Sequence, residues 1–263
     1  MPVVGCHNKP QRGPLTPSRI SHAVMLTYER AGLLTATLES LMRASPDLHV
    51  VVYDDGSETP EKLAELDTVE ASGIHVNRLG HRGLVRTWME IFIALSAGVN
   101  TVYEEDAGIV LLEDDLLFAS GWDQTMLRMA KGVERLGLKP GAMTCFRCHE
   151  EPQAKVYDLN GVQAYQSMQH GFQCNMVPAW VFDQAAFLEE AAQNSEKGDH
   201  GIDVWFIGGM AHRLGLTSFM SMESWVAHVG AGRSVAADQG YVSFKGVGYN
   251  LVHGLDVDSG QLF

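Results

Sequence analysis

Three consecutive carboxylates, Glu113, Asp114 and Asp115, directly follow the apolar run 109–112. Neighbouring carboxylates at the end of a buried strand repel one another in a partly desolvated place. They are therefore stable there mainly when a cation or hydrogen-bond donors lie opposite them. Carboxylate oxygens are also the ligands that hard divalent metals prefer. A solvated turn is the alternative interpretation of this triplet, and we favour a metal-binding site.

His228 is the one of the 11 histidines whose sequence context could complete such a site. It lies in the apolar, strand-like segment 225–230, which breaks at a glycine. A borderline ion such as Mn²⁺ accepts an imidazole nitrogen as well as carboxylate oxygens, so we expect Mn²⁺ in preference to Mg²⁺. A histidine in such a segment is more commonly a hydrogen-bonded core residue. Its interpretation as a ligand depends on the carboxylates at 113–115.

Polar residues also follow three other predicted strands at the point where each apolar run ends. These residues are Thr27, Tyr28, Glu29 and Arg30, then Asp54, Asp55, Gly56 and Ser57, and then Asn77, Arg78, Gly80, His81 and Arg82. In an open parallel sheet the carboxyl ends of neighbouring strands face one crevice, where ligands bind. We therefore expect these clusters to meet the acids at 113–115, although Asp-Asp-Gly-Ser is also good turn chemistry.

The elements that must position these groups follow a βα pattern from residue 23 onward. The predicted strands are 23–26, 50–52, 74–76 and 109–112, with weaker signals at 142–146 and within 171–182. Helical periodicity occupies the segments 34–42, 59–66, 84–95 and 122–136, and a further helix is expected after 182. The pattern predicts an α/β fold with a mostly parallel central sheet flanked by helices.

The composition predicts a folded, acidic protein. Its 263 residues are 46% hydrophobic, and a formal net charge of -13 argues against binding nucleic acid by neutralising many phosphates. No apolar stretch approaches the roughly 18 residues of a membrane span, and the start lacks the apolar core of a secretory signal. We expect a cytoplasmic protein with no membrane span, in which residues 1–22, dotted with proline and glycine, form a flexible leader.

Three segments resemble the nucleotide-sugar-dependent glycosyltransferases of the GT-A fold, in particular family 2. They are VMLTYER at 24–30, VVVYDDGS at 50–57 and VLLEDDL at 110–116. The Glu-Asp-Asp triplet, followed by Ala-Ser-Gly-Trp at 119–122, is similar to a segment of the N-acetylglucosaminyltransferases that start N-glycan branching. His-Val-Gly at 228–230, with Ser234 after it, is similar to a segment of many bacterial members. The resemblance covers about residues 23–235.

This resemblance implies a nucleotide-sugar-binding half at 23–120 and an acceptor-binding half of the same domain at 121–263. The residues that it implies for holding the nucleoside are Thr27, Tyr28, Arg30 and one or both of Asp54 and Asp55. It implies that His81 lies near the base or the diphosphate. It also implies that Glu113 and Asp114 face the ribose and the water shell of the metal.

The resemblance further implies that Asp115 binds the metal directly and that His228 is a second protein ligand. The family's catalytic base is an acidic residue just before or within a late helix. Asp203 matches it best, with Asp199 behind it. The implied reaction is metal-dependent transfer of a hexose from a nucleotide-sugar, expected to be UDP-linked, to an acceptor hydroxyl. Direct displacement with Asp203 as general base would invert the anomeric centre.

Several alternatives stay open at this point. The acceptor could be a glycan, a protein, a small molecule or a hydroxylated DNA base. A sugar nucleotidyltransferase of the same fold, or a non-catalytic module that binds nucleotide or sugar through a metal, would share many of these features. The segment 145–149 also matches the Cys-x-x-Cys-His haem-attachment pattern, and Cys145, Cys148 and Cys174 could form a zinc site. Covalent haem attachment occurs in exported compartments, and the chain shows no export signal. We favour plain buried cysteines over a zinc site, because small buried cysteines at a strand end are commoner.

Overall fold

The computed structural model describes residues 16–98, 104, 106–147, 153–167, 171–184, 187–188, 190–191, 193–194 and 201–229. Its strands are β1 (Arg19–Thr27), β2 (His49–Asp54), β3 (His75–Arg78), β4 (Ala107–Glu113), β5 (Leu116–Phe118), β6 (Pro140–Thr144), β7 (Val156–Asp158), β8 (Gln163–Gln166), β9 (Cys174–Pro178), β10 (Thr217–Ser221) and β11 (Val226–His228). The helices are α1 (Leu33–Ala44), α2 (Pro60–Ala71), α3 (Leu84–Ser96), α4 (Trp122–Arg135) and α5 (Ile202–Leu214), with a 3-10 turn at Ala179–Asp183.

A nine-stranded sheet in the order β3-β2-β1-β4-β9-β6-β10-β8-β7 forms the centre of the fold, and β11 pairs with β5 in a second, two-stranded sheet. Strands β1 to β4 are parallel, and β6 and β10 run in the same direction. Strands β9 and β8 run against their neighbours. The predicted α/β fold with a mostly parallel central sheet is therefore confirmed.

Helices cover both faces of the sheet, which explains why its central strands are apolar without alternation. On β4, Val110 and Leu112 pack into the cluster that includes the buried faces of α1, α2 and α4. Ile109 and Leu111 face the opposite cluster, which contains α3, the 3-10 turn and α5. Because successive side chains point into different apolar layers, the register of β1 against β4 is fixed. This register determines where each strand ends at the sheet edge.

Most predicted elements are present, with shifted boundaries. Strand β1 begins at Arg19, inside the predicted leader, because Arg19 already pairs with Ala107 of β4 and the Ser18 amide donates to the Asp106 carbonyl at 2.8 Å. The predicted leader 1–22 is therefore too long at its end, and residues 1–15 lie outside the described part of the chain. Strand β6 is Pro140–Thr144 where 142–146 was predicted, so Cys145 follows the strand.

Four strands were not predicted: β5, β7, β8 and β10. Strands β5 and β7 have three residues each, too few to show a period of two. The turn between β7 and β8 does carry a signal, because Asn160 and Gly161 both have positive φ, as a tight hairpin turn requires.

Within the described residues, no helix is both long and apolar enough to cross a membrane.

Candidate functional site

The polar ends of β1, β2, β3 and β4 lie at one edge of the sheet, as the sequence predicts. In the strand register Leu26 pairs with Glu113, Thr27 with Asp54, and Asp54 with Arg78. The chain leaves β4 at Glu113 and enters β5 at Leu116, so Asp114 and Asp115 form the connection between the two sheets. This edge carries the candidate site.

Asp114 is the most enclosed of the three acids, with no exposed surface. Its Oδ2 accepts hydrogen bonds from the Thr27 hydroxyl and from Lys62 Nζ at 3.4 Å, and its Oδ1 accepts one from Arg30 Nη2 at 2.6 Å. Burial raises the pKa of Asp114, and the charges of Arg30 and Lys62 oppose this shift. Protein donors therefore bond both oxygens of this carboxylate. The resemblance implied instead that Asp114 faces the ribose or the water shell of the metal.

The main chain of Asp114 is held as well. Its carbonyl accepts the Thr37 hydroxyl of α1 at 2.7 Å, and the same hydroxyl oxygen accepts the Leu116 amide at 2.9 Å. Helix α1 therefore fixes the acidic connection from both sides, so the direction of the neighbouring side chains is set by the fold.

Asp115 lies beside His228, 113 residues away in sequence. Its Oδ2 accepts Arg30 Nη1 at 2.5 Å and lies 2.9 Å from His228 Nε2. Strand β11 brings the histidine here, since it pairs antiparallel with β5 and the Val229 amide donates to the Asp115 carbonyl at 2.9 Å. The expected meeting of Asp115 and His228 is observed.

The second oxygen of Asp115, Oδ1, is buried and has no hydrogen-bond partner among the described residues. A buried carboxylate oxygen without a donor is costly, so this atom needs a partner that the described residues do not supply. Glu113, Asp115 and His228 each offer one ligand atom, and these three atoms lie within 4.8 Å of one another. Two carboxylates and an imidazole fit a divalent cation such as Mn²⁺.

The ionisation of this cluster follows from burial and charge. Burial, reinforced by the charge of Asp115, raises the pKa of Glu113 to about 7. Burial also acts to raise the pKa of Asp115, but the hydrogen bond and charge of His228, with Arg30, lower it overall. Burial acts to lower the pKa of His228, and its contact with Asp115 raises it overall. A cation bound here would favour the ionised carboxylates of Glu113 and Asp115 and the neutral imidazole of His228, because these are the forms that bind a metal.

Asp54 and Asp55, both buried, organise the loops around the site. Asp54 accepts the amide of Ser57 at 3.0 Å and also its hydroxyl, which closes the turn after β2. Asp55 accepts the amides of Arg82 at 3.0 Å and Gly83 at 3.1 Å, and the hydroxyl of Thr87. Asp54 is therefore a turn residue, which agrees with the interpretation of Asp-Asp-Gly-Ser as a turn. Asp55 instead holds the loop that leads into α3.

Tyr28 and His81 form the open side of the site. Their rings stack with centroids 4.7 Å apart and an interplanar angle of 19°. His81 Nδ1 lies 3.1 Å from the carbonyl oxygen of Asp55, and this contact joins the loop after β3 to the loop after β2. Glu29, between the site and α2, accepts the amides of Glu58 at 2.6 Å and Thr59 at 3.2 Å and so caps that helix.

Asp203 lies in the first turn of α5, and the structure does not join it to the acidic cluster by any hydrogen bond or ion pair among the described residues. Burial raises its pKa. Helix α5 connects to β10 through Gly215 and Leu216 and packs on β6 and β10, so it runs antiparallel to them. Its start therefore lies toward the same sheet edge as Glu113, in the helical layer over strands that are two and three positions from β4 in the sheet. Asp199 lies outside the described residues.

Lys62 is a functional candidate that the sequence interpretation missed. Its side chain has no exposed surface and bonds Asp114, Glu65 and the Arg30 carbonyl. The available signal was its spacing: Lys62 is four residues before Leu66 and seven before Val69 on the buried face of α2.

Cys145 and Cys174 are both buried, and burial together with a contact from Cys145 raises the pKa of the Cys174 thiol well above its usual value. Such thiols behave as packing groups. Cys148 and His149, the other members of the Cys-x-x-Cys-His pattern, lie outside the described residues.

Residues 23–146 match the model of the glycosyl transferase family 2. This part of the chain is a glycosyl transferase family 2 domain. It contains the ends of β1 to β4, the acids at 113–115 and Lys62, while Asp203 and His228 come from the chain beyond it. No curated protein matches the sequence significantly.

Solved structures share the fold of this family 2 domain and of the chain that follows it. GalNAc-T7 with UDP, GalNAc and Mn²⁺ has a TM-score of 0.55 at 12% identity, over 80% of this chain and 44% of that one. The mannosyltransferase PcManGT from Pyrobaculum calidifontis, with GDP-Man and Mn²⁺, has a TM-score of 0.51 at 17% identity, over 88% of this chain and 64% of that one. S. aureus TarS has a TM-score of 0.50 at 13% identity, over 81% of this chain and 37% of that one. The fold is GT-A, and this chain spans less than two thirds of each of these structures.

Proposed function

We propose that the protein is a metal-dependent glycosyltransferase that moves a hexose from a nucleotide-sugar to an acceptor hydroxyl with inversion. The observation that carries the proposal is the meeting of Asp115 with Glu113 and His228, together with the buried Oδ1 of Asp115, which has no hydrogen-bond partner among the residues that the structure describes. A family 2 domain supports glycosyl transfer over nucleotidyl transfer. The cluster supports a cation, because a diphosphate could not otherwise approach so acidic an edge.

The ligands of the ion would be Asp115, His228 and Glu113. Asp114 would hold the chain between Glu113 and Asp115 in place. This assignment moves Glu113 from the water shell to the ligand set, since its oxygen belongs to the same compact group of ligand atoms. When bound, the ion supplies Lewis-acid stabilisation of the charge that develops on the leaving diphosphate. Mn²⁺ suits the imidazole ligand, and both GalNAc-T7 and PcManGT were solved with Mn²⁺.

Tyr28 and His81 would bind the nucleoside at the open side of the site. Their stacked pair offers an aromatic surface to a base, and Thr27 and Arg30 keep the loop beneath it in place through Asp114 and Asp115. The solved structures of GalNAc-T7 and PcManGT contain UDP and GDP-Man respectively, so this fold accommodates more than one base. We propose UDP for this chain on the resemblance of its motif.

Asp203 would act as the general base. Its raised pKa strengthens it as a proton acceptor, and the start of α5 lies at the same edge as the metal ligands. Removing the proton from the acceptor hydroxyl as that oxygen attacks the anomeric carbon would give inversion in one displacement. The acceptor would then lie between Asp203 and the donor, over the ends of β9 and β6.

The test is a screen of nucleotide-sugars for hydrolysis with and without Mn²⁺, which needs no acceptor. We expect Mn²⁺-dependent release of a nucleoside diphosphate from one donor, and its loss in Asp115→Ala. Asp47→Ala, at an exposed turn before β2, is the matched control and should keep full activity. Tight Mn²⁺-dependent binding without hydrolysis or transfer would instead indicate a binding module. Pyrophosphate release from a nucleoside triphosphate and a sugar phosphate would indicate a nucleotidyltransferase.

A further inference from the structure

Lys62 is a buried cation on the apolar face of a helix. It shares the inward face of α2 with Leu66 and Val69, where the helix pattern would accept a leucine or methionine. An ammonium group removed from water is costly unless charges and hydrogen bonds compensate for it. A lysine at this place therefore needs a reason beyond packing.

Each hydrogen of the Lys62 ammonium has an acceptor. Nζ lies 2.8 Å from Glu65 Oε2, 3.2 Å from the Arg30 carbonyl oxygen and 3.4 Å from Asp114 Oδ2. Glu65 is fixed in turn, because its Oε1 accepts the Thr35 amide at 2.9 Å at the start of α1. The ammonium thus joins α1 and α2 to the loop after β1 and to the acidic connection after β4.

Two of these contacts bear on Arg30. Lys62 holds the carbonyl of Arg30, and it also holds the carboxylate that accepts Nη2 of the same residue. The other arm of the guanidinium, Nη1, bonds Oδ2 of Asp115. Arg30 therefore bridges Asp114 and Asp115 in one planar fork, and within the described part of the chain this fork leaves Oδ1 as the oxygen of Asp115 that has no hydrogen-bond partner.

We propose that Lys62 is a positioning residue for the cation site: through Asp114 and Arg30 it fixes the Asp115 carboxylate with Oδ1 directed to the ion. This inference rests on the proposed function. Partners of metal ligands orient those ligands, and their removal typically weakens metal affinity by about 10- to 100-fold. Lys62 would act one contact further out, through a network whose links are all hydrogen-bonded.

The experiment measures Mn²⁺ affinity of the full chain directly, by titration with Mn²⁺ alone followed through the electron paramagnetic resonance of the free ion. Lys62→Met fills the space without the charge, and we expect about 10-fold weaker binding. Lys62→Gln keeps an amide donor on a shorter side chain and should weaken binding less. It also provides a second test if Lys62→Met does not fold.

Val69→Ala is the matched control, since Val69 lies on the same buried face of α2 but has an apolar side chain that cannot hydrogen-bond to the acids. It should lower the thermal stability and leave Mn²⁺ affinity unchanged, which separates positioning from a general loss of packing. Folded Lys62 variants with wild-type affinity would overturn the inference and leave the proposed function intact. A wild-type chain that does not bind Mn²⁺ would contradict the proposed function and the inference with it.

Discussion

Asp203 is a carboxylate in the first turn of a helix, buried enough for its pKa to be raised. As a general base it should contribute about 10²- to 10⁴-fold to the rate, so Asp203→Asn should reduce transfer by at least about 100-fold. Binding of a nucleoside diphosphate with Mn²⁺ should stay unchanged, because Asp203 does not contact the acidic cluster. Transfer rates and calorimetric affinities of both proteins check this.

Asp123 provides the control, since it too is the acidic residue in the first turn of a helix, α4. Asp123→Asn removes the same charge from the same helical position and should leave transfer unaffected. Full transfer activity in Asp203→Asn would show that the base is another residue.

Residue identity predicted which groups meet at the site, but it could not predict which way each one faces. The triplet at 113–115 and His228 come together as the sequence indicates, because the strand ends share one edge. Asp114 differs from its neighbours only through Thr27, Arg30 and Lys62, which approach from other elements. Lys62 is hard to predict because the apolar pattern of α2 includes Leu63, which is only partly buried, and a charged residue is not expected on the buried face.

Gly56 joins two loops of the site at the level of elements. Its φ is +73°, and a Cβ added there would lie 2.2 Å from the amide nitrogen of His81. Gly56→Ala should therefore push the 80–82 loop away, loosen the stack of Tyr28 on His81 and lower the free energy of unfolding by about 2–4 kcal/mol. Urea denaturation measures the stability, and nucleotide affinity should fall with it.

A substitution at Gly73 separates the two causes of the lost stability, which are the strained backbone and the steric clash of the added Cβ. Gly73 also has a positive φ, +93°, but a Cβ there meets nothing within 4 Å. Gly73→Ala should cost only the left-handed backbone penalty, about 1–2 kcal/mol, and leave nucleotide binding unchanged. Equal effects of the two substitutions would contradict the close approach of the two loops.

The elements that the sequence predicted well are those with long, uniform patterns. Strands β1, β2 and β4 were predicted because each contains a continuous apolar run, and helices α1, α3 and α4 because their apolar residues recur with a helical period. The antiparallel strand β9 and the hairpin of β7 and β8 interrupt the parallel order, and their pairing is set by contacts distant in sequence. Only the Asn160–Gly161 turn gave a local signal for this part.

At the scale of the whole molecule, the two ends of the strands have different roles. The carboxyl ends hold the acids of the candidate site, and the opposite edge holds a pair of histidines. His22 on β1 is opposite His49 on β2, with ring centroids 4.9 Å apart. Because His22 lies toward the other edge of the sheet from Glu113, the pH dependence of stability that His22 produces is separable from that of catalysis.

Burial lowers the pKa of His22 to about 4, and the charges of His49 and Arg19 act in the same direction. In the unfolded chain a histidine binds its proton below about 6.5, whereas folded His22 stays neutral until about pH 4. The unfolded state therefore binds more protons across this window, and stability falls as the pH falls from 6.5 to 4. The full effect of His22 is at most about 3 kcal/mol.

His22→Gln removes the titrating group, so the wild type should lose more stability than the variant between pH 7 and pH 4. Carboxylates titrate in both proteins, and the difference between the two unfolding free energies isolates His22. That difference should be constant above about pH 6.5 and should shift against the wild type as the solution becomes more acidic. Urea titrations at half-unit pH intervals measure it, and a difference that does not change with pH would show that His22 is protonated as readily in the folded chain as in the unfolded one.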